Sequence, residues 1–223
     1  MAAVNGLVPR AMQRDTNAMN TKIIALAAGL MLCYTNARSD SPSLPPRNPT
    51  YTTDGRLIFP VDYREWVFLT SGLDMNYMDG MPMGDHHMLD NVFVDPASYK
   101  VFLATGTWPD KTMLVKENRR ADTRGSINKS GKYQSTEIMG IEVHIKDAAH
   151  FPDQWAFFAF GDGLQPAVMI PQTASCYSCH AAHGAVDKTF VQFYPTLLPI
   201  AKDKGTLSAG YQHDESAAAA KPK

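Results

Sequence analysis

Cys176-Tyr177-Ser178-Cys179-His180 constrains this chain more than any other stretch. Two cysteines separated by two residues and followed at once by histidine form the attachment signature of c-type haem. The chemistry sets the spacing. Each thiol adds to one vinyl group, and two intervening residues let both reach the macrocycle from one helical turn. The next residue then offers an imidazole to iron from below, which makes His180 the metal ligand and Cys176 and Cys179 the cofactor-binding pair. The competing readings are a redox-active cysteine pair or half a zinc site. Zinc calls for further soft ligands, yet the only other cysteine is Cys33, in a segment expected to be removed. No thioredoxin-like βαβ pattern surrounds the pair. One haem c per chain is the expectation.

That expectation requires export, and the N-terminus supplies a signal for it. Lys22 precedes the apolar run Ile23–Cys33, which is too short to span a bilayer comfortably. Thr35-Asn36-Ala37 then offers small residues where a signal peptidase cuts. Residues 1–37 therefore read as a cleavable signal peptide, with Met19 as the natural start, and the protein as periplasmic. Leu32 argues against a lipid anchor on Cys33, and an uncleaved membrane anchor is the competing reading. The formal net charge of −1 suggests neither nucleic acid nor an anionic membrane as a partner.

Residues 38–55 are rich in Ser and Pro and read as a linker, and residues 206–223 as a flexible tail. Between them, 56–205 carries a single domain without internal repeats. Tyr63, Trp66 and Val67 predict a helix over about Val61–Leu69, in which Arg64 and Glu65 are expected on a solvated face, with a haem-propionate partner as the competing reading. Residues 70–90 form a polar loop with Met75, Met78, Met81, Met83 and Met88 and the pair His86-His87. Thioethers and imidazoles can hold copper. Methionine is also an adaptable packing residue, and without regular ligand spacing packing is expected. Asn91–Val94 predicts a strand, and Asp95-Pro96 opens a helix that Gly106 closes.

The next two strands hold the residues of most interest. In 112–117, Thr112, Leu114 and Lys116 share a face, which puts a basic group among apolar neighbours. A polar hairpin connection follows over 119–135. In 138–145, Met139, Ile141, Val143 and Ile145 face one way and Ile138, Gly140, Glu142 and His144 the other. Lys116 and Glu142 both have ordinary surface explanations, and Gly140 leaves room for something flat. The aromatic strand Trp155–Phe160 either walls an apolar pocket or forms core. His183 is expected at solvent or beside a propionate, and a helix is expected from about Lys188, breaking at Pro195.

Taken in order, these pieces match a known pattern. Asp62-Tyr63-Arg64-Glu65-Trp66-Val67 comes first, then Asn91–Tyr99 and Thr105-Gly106-Thr107-Trp108-Pro109-Asp110. Leu114-Val115-Lys116-Glu117, Gly140-Ile141-Glu142 and the haem motif follow. Over about Leu57 to Phe193 the chain resembles the cytochrome P460 family and its relatives, the β-sheet cytochromes c′. The resemblance implies an α+β fold, a mainly antiparallel sheet with flanking helices and a C-terminal haem-binding helix, usually in a homodimer. It implies a P460-type haem cross-linked by a lysine, the position of Lys116, and a carboxylate that accepts a proton from hydroxylamine, the position of Glu142. The family oxidises hydroxylamine to nitrous oxide or nitrite, passing electrons to a redox partner such as a small c-type cytochrome. Two other readings remain open. One is a cytochrome c′-like nitric-oxide-binding protein with aromatic caps from Trp155–Phe160. The other is an electron-transfer cytochrome with a methionine from the 75–88 loop as sixth ligand. No methionine or histidine is expected at a strand position near the open side of the haem.

Overall fold

A computed structural model describes residues 47–75, 77, 87–161 and 164–220. The signal segment, Cys33, half of the linker, Met78, Met81, Met83 and His86 lie outside these residues. The central element is an antiparallel sheet in strand order β1-β2-β3-β4-β5. Its strands are β1 (Val67–Leu73), β2 (Met88–Val94), β3 (Met113–Asp122), β4 (Tyr133–Lys146) and β5 (Trp155–Phe160). Helix α1 (Pro96–Thr105) joins β2 to β3, and α2 (Ser175–His183), α3 (Leu198–Lys204) and α4 (Ala209–Ala219) follow the sheet. The architecture is α+β, and the helix that carries the haem motif is followed by two more.

Period-two alternation gives the sheet two faces, each with its own core. Phe93, Val115, Ile141, Val143 and Phe158 pack beneath Leu57, Phe59, Tyr63 and Trp66. Val94, Leu114 and Trp155 pack on the other face with Phe102, Trp108, Val191, Tyr194 and Leu197. Helix α1 forms where local signals place it. The Asp95 side chain accepts the Ser98 N–H at 2.8 Å, and Gly106 ends the helix at φ 76°. A buried carboxylate ties the first face together: Glu117 is fully buried and accepts from Tyr63, Arg64, Arg119 and Asn91. Arg64 is exposed, as expected for a solvated face, and its guanidinium also reaches this carboxylate. Burial, with the Glu117 contact adding to it, pushes the Tyr63 hydroxyl up to about 12.

Several expectations need correction. The helix expected over 61–69 is only a 3-10 turn, Tyr63–Glu65, after which Trp66 turns extended into β1. Val67, Phe68, Leu69 and Thr70 are strand formers, and pairing with β2 wins over three residues at helical spacing. The helix expected from Lys188 is a 3-10 turn, Val191–Phe193, with α3 beyond it. The linker joins the fold by Thr50, whose carbonyl accepts the Ile58 N–H. The tail expected to be mobile from 206 is helical through Ala219. Ser208 caps α4, Tyr211 is buried, and a Cβ on Gly210 would lie 2.1 Å from the Ala182 carbonyl oxygen. That close contact holds α4 on α2. Among the described residues, no helix is long and apolar enough to cross a membrane.

Candidate functional site

The cavity-facing side of the sheet is laid out in ranks by strand register. His144 lies opposite Leu114 and Phe157; Glu142 lies opposite Lys116, which faces Val92; Gly140 lies opposite Asn118, which faces Asp90, which faces Gly72. Two residues of rise separate successive ranks, about 7 Å along the strands. A cavity of about 290 Å³ opens on this face. Its wall includes Lys116, Glu142, Asp90 and His144 from the strands and His180 and Phe190 from the C-terminal half. The volume is near the lower end for small-molecule pockets, about 300–1,000 Å³.

Helix α2 brings the haem motif to this cavity. Cys179 and His180 stand three and four residues after Cys176, so all three share one helix face. Both thiols are free, and of the motif only His180 lines the cavity. Tyr177, between the cysteines, anchors the helix to the sheet. Its hydroxyl accepts the Phe157 N–H at 3.2 Å and donates to the Ile170 carbonyl at 2.9 Å.

The His180 ring is held on every side. Phe190 stacks on it with centroids 4.1 Å apart, and Phe157 and His144 meet it edge-on at 4.7 and 5.1 Å. Its Nδ1 lies 2.8 Å from the Lys188 carbonyl oxygen. A carbonyl can only accept, so Nδ1 carries the proton and Nε2 keeps a lone pair. Burial lowers the His180 pKa, and the imidazole stays neutral as a metal ligand must. The same carbonyl bond fixes ring orientation, as partners behind ligating histidines do.

The chain reaches back to make that bond through a turn that only glycine allows. A Cβ on Gly184 would lie 2.6 Å from the His180 carbonyl oxygen and 2.8 Å from Lys188 and Thr189 backbone atoms. Beyond it Asp187 and Lys188 adopt positive φ. Trp108 pins this loop: its backbone N–H donates to Asp187 at 3.0 Å and its indole N–H to Thr189 at 2.8 Å. Gly184, Lys188, Phe190 and Tyr177 had no functional reading from sequence; only the histidine immediately after the second cysteine hinted that its surroundings mattered.

Lys116 and Glu142, singled out separately, come together. Their Cα atoms are register partners and Lys116 Nζ lies 3.0 Å from Glu142 Oε2. Their side chains are 36% and 50% exposed, as their surface explanations allow, and Glu142 faces an ammonium and water. No strand methionine or histidine was expected near the open side of the haem; Met88 of β2 does line the cavity, and so does His144 of β4, on the His180 side. His144 lies against His180, stacked on Phe157 at 3.9 Å, and burial first, then His180, holds its pKa well below the usual range. Phe157 is therefore committed to His180 and His144, while Phe158 and Phe160 belong to the opposite core. Strand β5 supplies no cap for the open part of the cavity. His183 bonds Asp214 of α4 at 2.7 Å and is exposed. His87 bonds Asp74 at 2.6 Å, and no cluster of three or more His, Cys, Asp or Glu suited to a metal ion occurs among the described residues.

The donor set fits a covalently held haem. Two free thiols share a helix face with a neutral imidazole, its lone pair left available, beside a cavity walled by aromatic and aliphatic side chains. A family model described as Cytochrome P460 matches residues 60–191 of the chain. No curated protein matches it.

Proposed function

This chain belongs to the cytochrome P460 family, and from that premise we propose that it oxidises hydroxylamine, to nitrous oxide or nitrite, at a lysine-linked haem c. Cys176 and Cys179 would hold the haem, His180 would ligate its iron, and Lys116 would join the ring. When bound, the haem supplies a Lewis-acidic, redox-active iron. The observation that carries the reading is the 3.0 Å pair of Lys116 and Glu142 on the wall that also presents His180.

Oxidation of hydroxylamine releases protons and electrons together, so the site needs a base within hydrogen-bond reach. Glu142 has that role. Its carboxylate stands in the cavity, half-exposed, and passes protons to water. The same oxygen lies 3.0 Å from Lys116 Nζ and holds that side chain at the cavity, and the neutral amine is the form that would bond to the ring. Phe190, Phe157 and the Lys188 carbonyl hold the His180 ring while this happens. The electrons leave to an external acceptor, for which a small c-type cytochrome is suited. Export to the periplasm, where haem is attached to thiols, and assembly as a homodimer belong to the same proposal.

A second reading has its own observation. Met75 and Met88 both line the cavity, and either thioether would make a six-coordinate electron-transfer haem. Carbon monoxide added to the reduced protein separates the two: rapid binding supports an open site, and poor binding supports the methionine-ligated form. The deciding experiment is turnover of hydroxylamine with an artificial oxidant, wild type against Glu142→Ala. Unchanged turnover in the variant removes Glu142 as the base.

A further inference from the structure

Two polar atoms on the cavity wall are buried without a hydrogen-bond partner among the described residues: His144 Nε2 and Asp90 Oδ1. They stand at opposite ends of the wall. His144 is in the rank beside His180. Asp90 is two ranks further along the strands, on the side of the Lys116–Glu142 pair away from His180. His144 is accounted for by its stacking between Phe157 and Trp155 against His180. Asp90 is not accounted for.

The surroundings of Asp90 make a small polar recess. Asn118, its register partner on β3, also has a buried Oδ1 without a partner. Gly140 lies beyond Asn118, and a Cβ there would meet nothing within 4 Å. The rank therefore holds two unused acceptor oxygens, and that of Asp90 belongs to the cavity wall, one rank from Lys116 and Glu142. A buried acceptor left unmade costs about 1–3 kcal/mol, and packing within the sheet gives Asp90 no reason to carry one.

Resting on the hydroxylamine reading, we propose that Asp90 is the substrate-orienting residue of this site: its carboxylate accepts a hydrogen bond from the N–H or O–H of a small nitrogen compound in the cavity. Carboxylates only accept, so the recess selects donor-bearing molecules such as hydroxylamine or hydrazine over a diatomic gas. Lys116, Glu142 and Asp74 are the charged groups that face Asp90. Burial raises its pKa, Lys116 opposes this, and Glu142 and Asp74 add to it. Glu142 remains the base and Asp90 holds the molecule it acts on.

Optical titration of the oxidised haem protein, without any added oxidant, tests this through binding alone. Hydroxylamine and hydrazine are the donor probes, and nitric oxide binding to the reduced protein is the donor-free control. Asp90→Leu is expected to weaken both donors about ten- to a hundredfold, with nitric oxide affinity unchanged. Asp90→Asn keeps an acceptor oxygen without the charge and is expected to fall between, and it decides the matter alone if Asp90→Leu does not take up haem. Donor affinities that match wild type in these variants, a parallel loss of nitric oxide affinity, or a wild-type protein that binds neither donor each overturn the proposal. Donor binding that depends on Asp90 in a protein that does not turn over hydroxylamine leaves the recess standing and removes the oxidation reading instead.

Discussion

Lys116 and Glu142 are register partners across β3 and β4, and their charged groups meet at 3.0 Å on the cavity wall. In a surface sheet such a cross-strand pair contributes a fraction of a kcal/mol. Here the pair is one rank from the His144 that supports His180, and under the proposed function its worth is chemical. Replacing Glu142 with Gln keeps the shape and removes the carboxylate proposed as the base. The expected outcome is a loss of hydroxylamine turnover of about 10²- to 10⁴-fold, with haem content and carbon monoxide binding of the reduced protein unchanged. A turnover within twofold of wild type shows that the proton goes elsewhere.

Lys116→Ala tests the covalent link. The wild-type protein is expected to show an altered absorption spectrum and a mass consistent with one more bond to haem than the two thioethers. Lys116→Ala is expected to revert to an ordinary c-type spectrum while keeping Cys176 and Cys179 attached. Glu142→Gln should also slow formation of the link, because Glu142 Oε2 lies 3.0 Å from Nζ and holds it in place. Identical spectra for wild type and Lys116→Ala exclude a cross-link at this residue.

Much of this was legible because it was local. Asp95, Pro96 and Gly106 announce α1, and the alternation in 138–145 places Glu142 and His144 on one face, Val143 and Ile145 on the other. The first strand was not legible, and the reason is a bulge: its register shifts between Phe68 and Thr70. That shift breaks the period-two pattern after Leu69, so Thr70 and Gly72 join Val67 and Leu69 on one face of the sheet. Lys116 and Glu142 could each be noticed alone, but their pairing depends on a β3–β4 register with irregularities around Asn118 to Ala121. Asp90 and Glu117 were invisible for the same cause. Whether a strand carboxylate is buried, paired or orphaned depends on residues 20 to 50 positions away.

Gly184 is the position where one methyl group should do most damage near the haem motif. Its φ is −64°, so the backbone tolerates any residue, and the obstacle is space. Gly184→Ala would set a Cβ against the His180 carbonyl and the Lys188–Thr189 backbone, neither of which can swing aside. The expected cost is about 1–3 kcal/mol, read as a lower Tm. Displacing Lys188 also loosens its bond to His180 Nδ1, so the iron spectrum should change as well. A lower Tm with an unchanged spectrum would show that the loop matters for stability but does not hold the ligand.

The Asp147 clasp gives a pH dependence whose sign can be stated. Asp147 is almost wholly buried between β4 and β5 and accepts from Lys111, from His150 Nδ1 at 2.8 Å and from Tyr51 at 3.1 Å. Burial alone would raise its pKa, but the hydrogen bonds from Lys111 and His150 outweigh it and hold the carboxyl below the ordinary range. The unfolded chain therefore binds this proton more tightly than the folded one. The clasp's stabilisation is full above the unfolded value, about 3.9, and is lost as pH falls through the lower native value. Asp147→Asn should cost about 2 kcal/mol at neutral pH, and the gap between variant and wild type should narrow as the pH is lowered below about 4. Thermal unfolding of both proteins between neutral and strongly acidic pH reads this directly. A gap that stays constant across that range means the carboxylate's charge contributes nothing, and that the loss comes from packing around Tyr51 and Phe151.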